Sequence, residues 1–179
     1  MQLICTKLAI IGAGAAGRAF ALRAASAGLS VVLEDVMPAK LRRAQDEYGQ
    51  LAGVAAAGSL RFAATVEDAV HDADLALDFV PDELESKLEI FSLLDRMAPP
   101  RTVLCTPTNT LSITDLASCT YRAGKCVGLR GALDGRLPVE VLRSRFAEPA
   151  ALEAVSALLE RLGIASAVVD DTEESMLMR

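Results

Sequence analysis

Three glycines near the N-terminus have the spacing of a turn that binds a pyrophosphate. Gly12, Gly14 and Gly17 form a GxGxxG pattern directly after the apolar run KLAII and at the start of an Ala-rich stretch. In such a turn the first glycine permits the bend, the second lets the backbone approach phosphate, and the third lets helix pack on strand. The free N–H groups of the helix N-terminus attract the phosphate charge. The pattern predicts a dinucleotide site at Gly12, Ala13, Gly14, Ala15, Ala16 and Gly17.

A carboxylate follows the glycines at the sequence separation that is typical of a dinucleotide site. The strand-like run SVVLED ends with Glu34 and Asp35, and Asp35 lies 23 positions after Gly12. A carboxylate near this position reaches the ribose hydroxyls of the adenosine. Two adjacent acids would repel the 2′-phosphate of NADP, so the pattern favours NAD. The alternative interpretation is a surface turn whose acids only face water.

The elements that must position these residues alternate along the whole chain. Apolar, strand-like runs recur at KLAII, SVVLED, RFAAT, ADLALDFV, PPRTVLC, 127–129, 139–142 and SAVVD. Helical patterns lie between most of them, including an amphipathic stripe in DELESKLEIFSLLDRMA and a candidate N-cap, Ser112, before ITDLAS. This alternation predicts an α/β fold of the doubly wound Rossmann type, with a mostly parallel sheet and helices on both faces. We expect one domain over residues 1–179.

Composition excludes several classes of protein. The net charge of −6 argues against nucleic acid as a partner. The longest uncharged run, LAGVAAAGSL, is far shorter than the roughly 20 residues that span a bilayer. The four cysteines form no CxxC pair and the chain has one histidine, so we expect no metal site. Without a recognisable secretory signal, reduced thiols in a cytoplasmic protein are the expectation.

Beyond these patterns, the chain resembles the NAD-binding domain of the 3-hydroxyacyl-CoA dehydrogenases. GAGAAGRAFALRAASAGLSVVLED is similar to the first βαβ unit of that family, and ADLALDFVPDELESKLEIFSLLDRMAPPRTVLCTPTNTLSITDLA to its second half. CVGLRGALDGRLPVEVL corresponds to the strand and loop that carry the family's catalytic histidine. The resemblance covers essentially the whole chain. It implies NAD as cofactor and an oxidoreductase related to those of fatty acid metabolism.

The resemblance also implies roles for individual cofactor-site residues. Asp35 would hold the adenosine ribose. Asp82 and Lys87, in PDELESK, fall where the family has a glutamate and a lysine near the cofactor. The alternative interpretation is two charged residues on the exposed side of a helix start, where Asp82 also suits the helix N-terminus.

The catalytic positions depart from the family pattern. Oxidising a hydroxyl by hydride loss needs a base, usually histidine, but Arg130 stands at that position and a guanidinium stays protonated. Read without gaps, Asn109, in PTNTL, falls at the position of a family serine that touches substrate and nicotinamide. If Asn109-Thr110 is matched to the family's Asn-Thr instead, both of the family's serines in this loop are absent. Glu140 matches the glutamate that orients the histidine only if two loop residues are deleted, and it could instead pair with a neighbouring arginine. His71 is expected to be a solvated loop residue.

The C-terminus departs from the family as well. There the domain continues through a Pro-Gly-Phe run into a helical domain that forms the dimer and closes over acyl-CoA, whereas this chain has Glu173-Glu174 in DDTEESMLMR and lacks the helical domain. The chain is either naturally short or the first domain of a longer protein. We expect a homodimer or a partner subunit, because removal of the second domain should expose apolar surface.

Three functions stay open from the sequence. The first is an NAD(H)-binding protein with little classical dehydrogenase activity. The second is an active NAD-dependent oxidoreductase in which Arg130 polarises a carbonyl or grips a carboxylate of an anionic acyl or keto-acid substrate. Six basic against two acidic residues between Tyr121 and Arg145 agree with an anionic ligand, or form only a solvated face. The third is an interaction module that binds no nucleotide.

Overall fold

The computed structural model describes residues 4–51 and 58–172. Eight strands form one sheet: β1 Lys7–Ile11, β2 Ser30–Glu34, β3 Ser59–Ala63, β4 Leu75–Asp78, β5 Val103–Pro107, β6 Cys126–Arg130, β7 Val139–Arg143 and β8 Ser166–Asp170. Within the described ranges, six α-helices accompany the strands: α1 Ala15–Ser26, α2 Pro38–Leu51, α3 Val66–Val70, α4 Leu84–Met97, α5 Ile113–Ser118 and α6 Pro149–Arg161. Each predicted strand and helix is present, with ends shifted by a few residues.

The sheet has the order β3-β2-β1-β4-β5-β6-β7-β8. All neighbouring strands are parallel except β6 and β7, which run antiparallel. The predicted doubly wound, mostly parallel sheet is therefore confirmed. The strand order reverses direction between β1 and β4, and in open α/β sheets ligands bind at this switch, beyond the carboxyl ends of the strands.

Helices cover both faces of the sheet. One apolar cluster joins the sheet to α1, α2 and α6, with Phe20 and Leu159 among its buried members. The other joins it to α3, α4 and α5, with Phe91 and Leu116 at its centre. The central strand β4 is buried along its whole length, as expected for a parallel strand covered on both faces. Both clusters hold the carboxyl ends of β1, β2 and β4 in fixed positions.

The N-cap of α5 agrees with the prediction from the sequence. The Ser112 hydroxyl accepts a hydrogen bond from the Asp115 N–H at 3.2 Å, which confirms the predicted N-cap of α5.

All four cysteines are free, and Cys119 is the exposed one among them. Within residues 4–51 and 58–172, no helix is long and apolar enough to cross a membrane. No group of three or more potential metal-ligating side chains occurs in the same described ranges.

Candidate dinucleotide site

The glycine turn between β1 and α1 has two constrained glycines and one open one. Gly12 has a φ of +102°, and a Cβ there would lie 3.2 Å from the Phe79 carbonyl oxygen. A Cβ on Gly17 would lie 1.9 Å from the Gly12 carbonyl oxygen. Gly14 has an ordinary φ of −65°, and a Cβ there meets nothing within 4 Å. The fold itself therefore requires Gly12 and Gly17, whereas the space beside Gly14 is available to a ligand.

The N-terminus of α1 is suited to an anion. Gly14 is its N-cap, so no side chain caps the first turn, and that turn contains no acidic residue. The first N–H groups of a helix lack partners within the helix and carry a partial positive charge. Together with the space beside Gly14, they fit a pyrophosphate.

Asp35 ties the glycine turn to the end of β2. Its Oδ2 accepts from the Ala13 N–H at 2.8 Å and its Oδ1 accepts from the Met37 N–H at 2.8 Å. The Lys40 ammonium lies 3.7 Å from Oδ2. Each carboxylate oxygen can accept more than one hydrogen bond, so Asp35 still has acceptor capacity for ribose hydroxyls. The structure thus brings Asp35 to the glycine turn, as the sequence predicted.

A groove of about 580 Å³ opens beside Gly14 and Asp35 at the carboxyl ends of β1, β2 and β4. Its volume is within the range typical of small-molecule sites. Apolar side chains line much of it: Val36, Val66, Phe79, Val80, Ile90 and Leu93. The groove also contains one acid that sequence reasoning treated only as a companion of Asp35, namely Glu34.

Glu34 is a buried acid with a raised pKa. Its side chain is 3% exposed, and burial, reinforced by the neighbouring Asp35, raises the pKa of Glu34 to about 7. Glu34 is the last residue of β2, and Asp35 follows it directly. A charged residue in a strand covered on both faces was the signal that could have identified it.

We expect the free energy of unfolding to fall by about 1–3 kcal/mol as the pH rises from about 5 to 8. Glu34 keeps its proton in the folded chain up to a pH of about 7, whereas the ordinary value is 4.5, so the stabilisation is complete below 4.5 and is lost above 7. Urea unfolding across this range measures the slope. In Glu34→Gln the pH-dependent fall in the free energy of unfolding should be smaller by this contribution. Glu89→Gln, which removes an exposed acid of the same groove, should leave the fall unchanged. Equal slopes in wild type and Glu34→Gln would contradict the assignment.

Asp82 joins two loops at the carboxyl edge of the sheet. It precedes Glu83, the N-cap of α4, and so lies in the β4–α4 loop. Its carboxylate accepts hydrogen bonds from the Thr108 hydroxyl at 2.6 Å and from the Asn109 N–H at 2.9 Å, both in the β5–α5 loop. Thr110 Oγ1 lies 3.5 Å from the same carboxylate. Its neighbours are therefore loop groups rather than the first turn of α4.

Lys87 is buried rather than exposed. Its side chain is 1% exposed, and its Nζ donates to Asp78 Oδ1 at 2.8 Å, at the end of β4. The interpretation of Lys87 as a solvated residue on the exposed side of α4 is therefore wrong. The physical reason is that Asp78, itself fully buried, supplies the counter-charge. Burial raises the pKa of Asp78 and the Lys87 ammonium opposes the rise. Sequence reasoning missed Asp78, although a carboxylate ending the apolar run ADLALD was a signal.

The residues that the resemblance matched to the family's catalytic positions lie at one edge of the sheet. Arg130 ends β6 and pairs in register with Glu140 on β7. The Arg130 Nη1 lies 3.0 Å from Glu140 Oε2, with both side chains partly exposed. The expectation that Glu140 could pair with a neighbouring arginine is confirmed, and the partner is Arg130 itself. The Thr108 N–H donates to the Leu129 carbonyl oxygen at 2.8 Å, which holds the loop of Asn109 beside Arg130.

The remaining residues singled out in the sequence lie elsewhere. His71 is exposed at the C-terminal end of α3, and its Nδ1 lies 2.9 Å from the Asp68 carbonyl oxygen. It borders a pocket with Lys7 and Ser30 at the amino ends of β1 and β2, the opposite edge from the glycine turn. The prediction of a solvated loop residue is confirmed. Glu173 and Glu174 lie outside the described residues.

Comparison with known proteins identifies the family. The family model described as "3-hydroxyacyl-CoA dehydrogenase, NAD binding domain" matches residues 7–172. A probable 3-hydroxybutyryl-CoA dehydrogenase of Bacillus subtilis is 32% identical, over 92% of this chain and 62% of that protein. A 5-formyl-3-hydroxy-2-methylpyridine 4-carboxylate 5-dehydrogenase of Mesorhizobium japonicum is 28% identical, over 90% of this chain and 56% of that protein.

Solved structures of two oxidoreductases share the fold of this chain. The crystal structure of a 5-dehydrogenase of the same pyridine carboxylate, described as an NAD⁺-dependent dismutase, superposes with a TM-score of 0.82 at 27% identity, over 94% of this chain and 59% of that one. The structure of a diketoreductase superposes with a TM-score of 0.82 at 26% identity, over 96% of this chain and 66% of that one. The chain spans about half the length of the curated relatives it matches, from 30% to 63%. Its cofactor is NAD, and the chain belongs to the 3-hydroxyacyl-CoA dehydrogenase family, whose NAD-binding domain it comprises.

Proposed function

We propose that this chain binds NAD(H) in preference to NADP(H) and has little classical 3-hydroxyacyl-CoA dehydrogenase activity. NAD supplies hydride acceptance and donation when bound. The protein's part is to hold the pyrophosphate at Gly14, the adenosine ribose at Asp35 and the base in the apolar groove. Lys87 would contribute through Asp78, and Asp82 and Asn109 through the loop that borders the nicotinamide end.

The observation that carries the second half of the proposal is the ion pair between Arg130 and Glu140. Hydride loss from a hydroxyl leaves a proton that must go to a base. The guanidinium that stands at the histidine position is permanently protonated, and the glutamate that would orient an imidazole is 3.0 Å from Arg130 instead. Arg130 therefore cannot take the proton, and the Glu140 carboxylate is already paired with the guanidinium. Asn109 can donate a hydrogen bond but is not a base either.

A second candidate function is supported by the exposure of Arg130. Its side chain is 39% exposed, and Glu140 contacts one of its three nitrogens. The other donors of the planar guanidinium can bind a carboxylate or polarise a carbonyl. One relative is named for a pyridine carboxylate substrate. On this reading the chain is an active NAD-dependent oxidoreductase of an anionic acyl or keto-acid substrate.

Titration with NADH, followed by nicotinamide fluorescence, tests the proposal. The chain contains no tryptophan, so the cofactor's signal is not obscured. We expect saturable binding of NADH and at least about tenfold weaker binding of NADPH, because the Asp35 carboxylate, which would hold the ribose, would lie near the 2′-phosphate. Absence of NADH binding up to millimolar concentrations would favour the interaction module.

Turnover assays separate the two candidates. NADH consumption is measured with acetoacetyl-CoA and with a panel of keto acids. The first candidate predicts background rates throughout, and the second predicts turnover of a carboxylate substrate that Arg130→Leu abolishes. Turnover of acetoacetyl-CoA at the 1–1,000 per second typical of enzymes would contradict the proposed loss of classical activity.

A homodimer or a partner subunit is the proposed assembly. β8 forms one edge of the sheet and exposes Ala167 and Val168, and Phe146 is also exposed. Exposed strand edges pair readily with another chain. Light scattering at increasing concentration measures this, and a clean monomer throughout would count against self-association.

A further inference from the structure

Glu34 is a buried carboxyl group that faces a groove and has no protein partner there. Its side chain is 3% exposed, and it lines the groove together with Asp35 and Ile90. In the part of the chain that the structure describes, no hydrogen bond or ion pair reaches the Glu34 carboxyl group, although its backbone oxygen accepts from the Gly12 N–H at 2.8 Å. The carboxyl group is not fully enclosed by protein and opens into the groove. A ligand in the groove can supply the missing partner.

The part of the ligand that meets Glu34 follows from its neighbours. With the pyrophosphate at Gly14 and the ribose at Asp35, as in the proposed function on which this inference rests, the base extends into the apolar part of the groove. Val66, Val80 and Leu93 line that part. A base edge that enters an apolar pocket needs a hydrogen-bonding group there. Glu34 is the buried group of the lining that is not already occupied.

The other charged groups of the lining are accounted for. Asp35 accepts from Ala13 and Met37, and Lys40 lies 3.7 Å from Asp35. Glu89, on α4, is exposed at the rim. The segments at the ends of β1 and β4, and the start of α3, contribute only uncharged residues to the lining.

We propose that Glu34 determines which purine base the site accepts, by accepting a hydrogen bond from the exocyclic amine of adenine. An ionised carboxylate accepts hydrogen bonds and donates none. Adenine presents a donor at this position, whereas hypoxanthine presents a carbonyl oxygen. The ionised form of Glu34 therefore favours adenine and repels the 6-oxo base. The protonated form can donate to that oxygen and loses the distinction.

The test compares NADH with reduced nicotinamide hypoxanthine dinucleotide, which carries the same fluorescent nicotinamide. Because burial and Asp35 raise the pKa of Glu34 to about 7, the preference should depend on pH. We expect NADH to bind about tenfold more tightly at pH 8, which corresponds to about 1.4 kcal/mol, and two- to threefold more tightly at pH 6. Glu34→Gln should bind both dinucleotides with similar affinity at both pH values, because an amide both donates and accepts. Glu89→Gln is the matched control and should keep the wild-type ratios.

Each other outcome overturns the inference in a distinct way. Equal affinities of the wild type for the two dinucleotides at pH 8 would mean that Glu34 does not read the base. A Glu34→Gln variant that loses affinity for both dinucleotides equally would assign the carboxyl group to a part they share, such as the ribose. A loss of discrimination in Glu89→Gln would move the role to α4. Failure of both dinucleotides to bind would overturn the proposed function and this inference together.

Discussion

Gly14→Val is expected to weaken NADH binding at least about a hundredfold while changing the free energy of unfolding by no more than about 1 kcal/mol, the usual effect of a poorer N-cap. A Cβ on Gly14 meets no protein atom within 4 Å, and the φ of −65° suits any residue. The added side chain would therefore occupy only the space proposed for the pyrophosphate. Fluorescence titration with NADH and urea unfolding of the same sample measure both quantities.

Gly17→Ala is the matched control because it should have the opposite effect. Its Cβ would lie 1.9 Å from the Gly12 carbonyl oxygen, a contact that forces the turn and α1 apart. We expect it to destabilise the fold by about 1–3 kcal/mol, the usual cost of overpacking. If Gly14→Val retained full NADH affinity, the pyrophosphate could not lie on this turn. If it unfolded as Gly17→Ala does, the space beside Gly14 would not be open.

Lys87→Met is expected to destabilise the chain by about 3–5 kcal/mol at pH 8, because it leaves Asp78 buried without a counter-charge. Lys87 and Asp78 are 1% and 0% exposed. Without the ammonium, the largest influence that opposes burial is lost, and the pKa of Asp78 rises further. A raised folded pKa means that the folded chain binds a proton that the unfolded chain releases. The loss of stability should therefore shrink as the pH is lowered from 8 towards 5, as urea unfolding can measure.

Two further variants control this experiment. Adding Asp78→Asn to Lys87→Met removes the buried charge and should recover a large part of the lost stability. Arg61→Met removes an ion pair with Asp68 whose side chains are about half exposed, and it should cost less than about 1 kcal/mol. A Lys87→Met variant as mildly affected as Arg61→Met would show that water reaches Asp78.

The fold and the glycine turn were predictable because their physical constraints are local. The alternation of apolar runs with helical patterns determines a parallel sheet, and GxGxxG with Asp35 determines where its ligand edge lies. The contact between Asp35 and the Ala13 N–H then needs no further information than that β1 and β2 are neighbours.

The rest of the site depends on long-range geometry. Arg130 meets Glu140 only because β7 reverses direction and pairs with β6 in one register, and the loop between them does not specify that register in the sequence. Lys87 becomes buried because the start of α4 brings it to Asp78 at the end of β4, whereas an amphipathic pattern alone places a lysine on the solvent side. Glu34 sits beside Asp35 in sequence, yet its importance depends on the helices that close the groove around it.

The hydrogen bonds of Asp82 have a consequence for how this site can diverge. The Asp82 carboxylate links the β4–α4 loop to Thr108 and Asn109 of the β5–α5 loop by hydrogen bonds, so the conformations of the two loops depend on each other. A replacement at Thr108 that adapted the site to another substrate would also remove one of these two hydrogen bonds and leave Asp82 held by the Asn109 N–H. A change of substrate range is therefore expected to need paired replacements. Positions 82 and 108 should covary among related sequences.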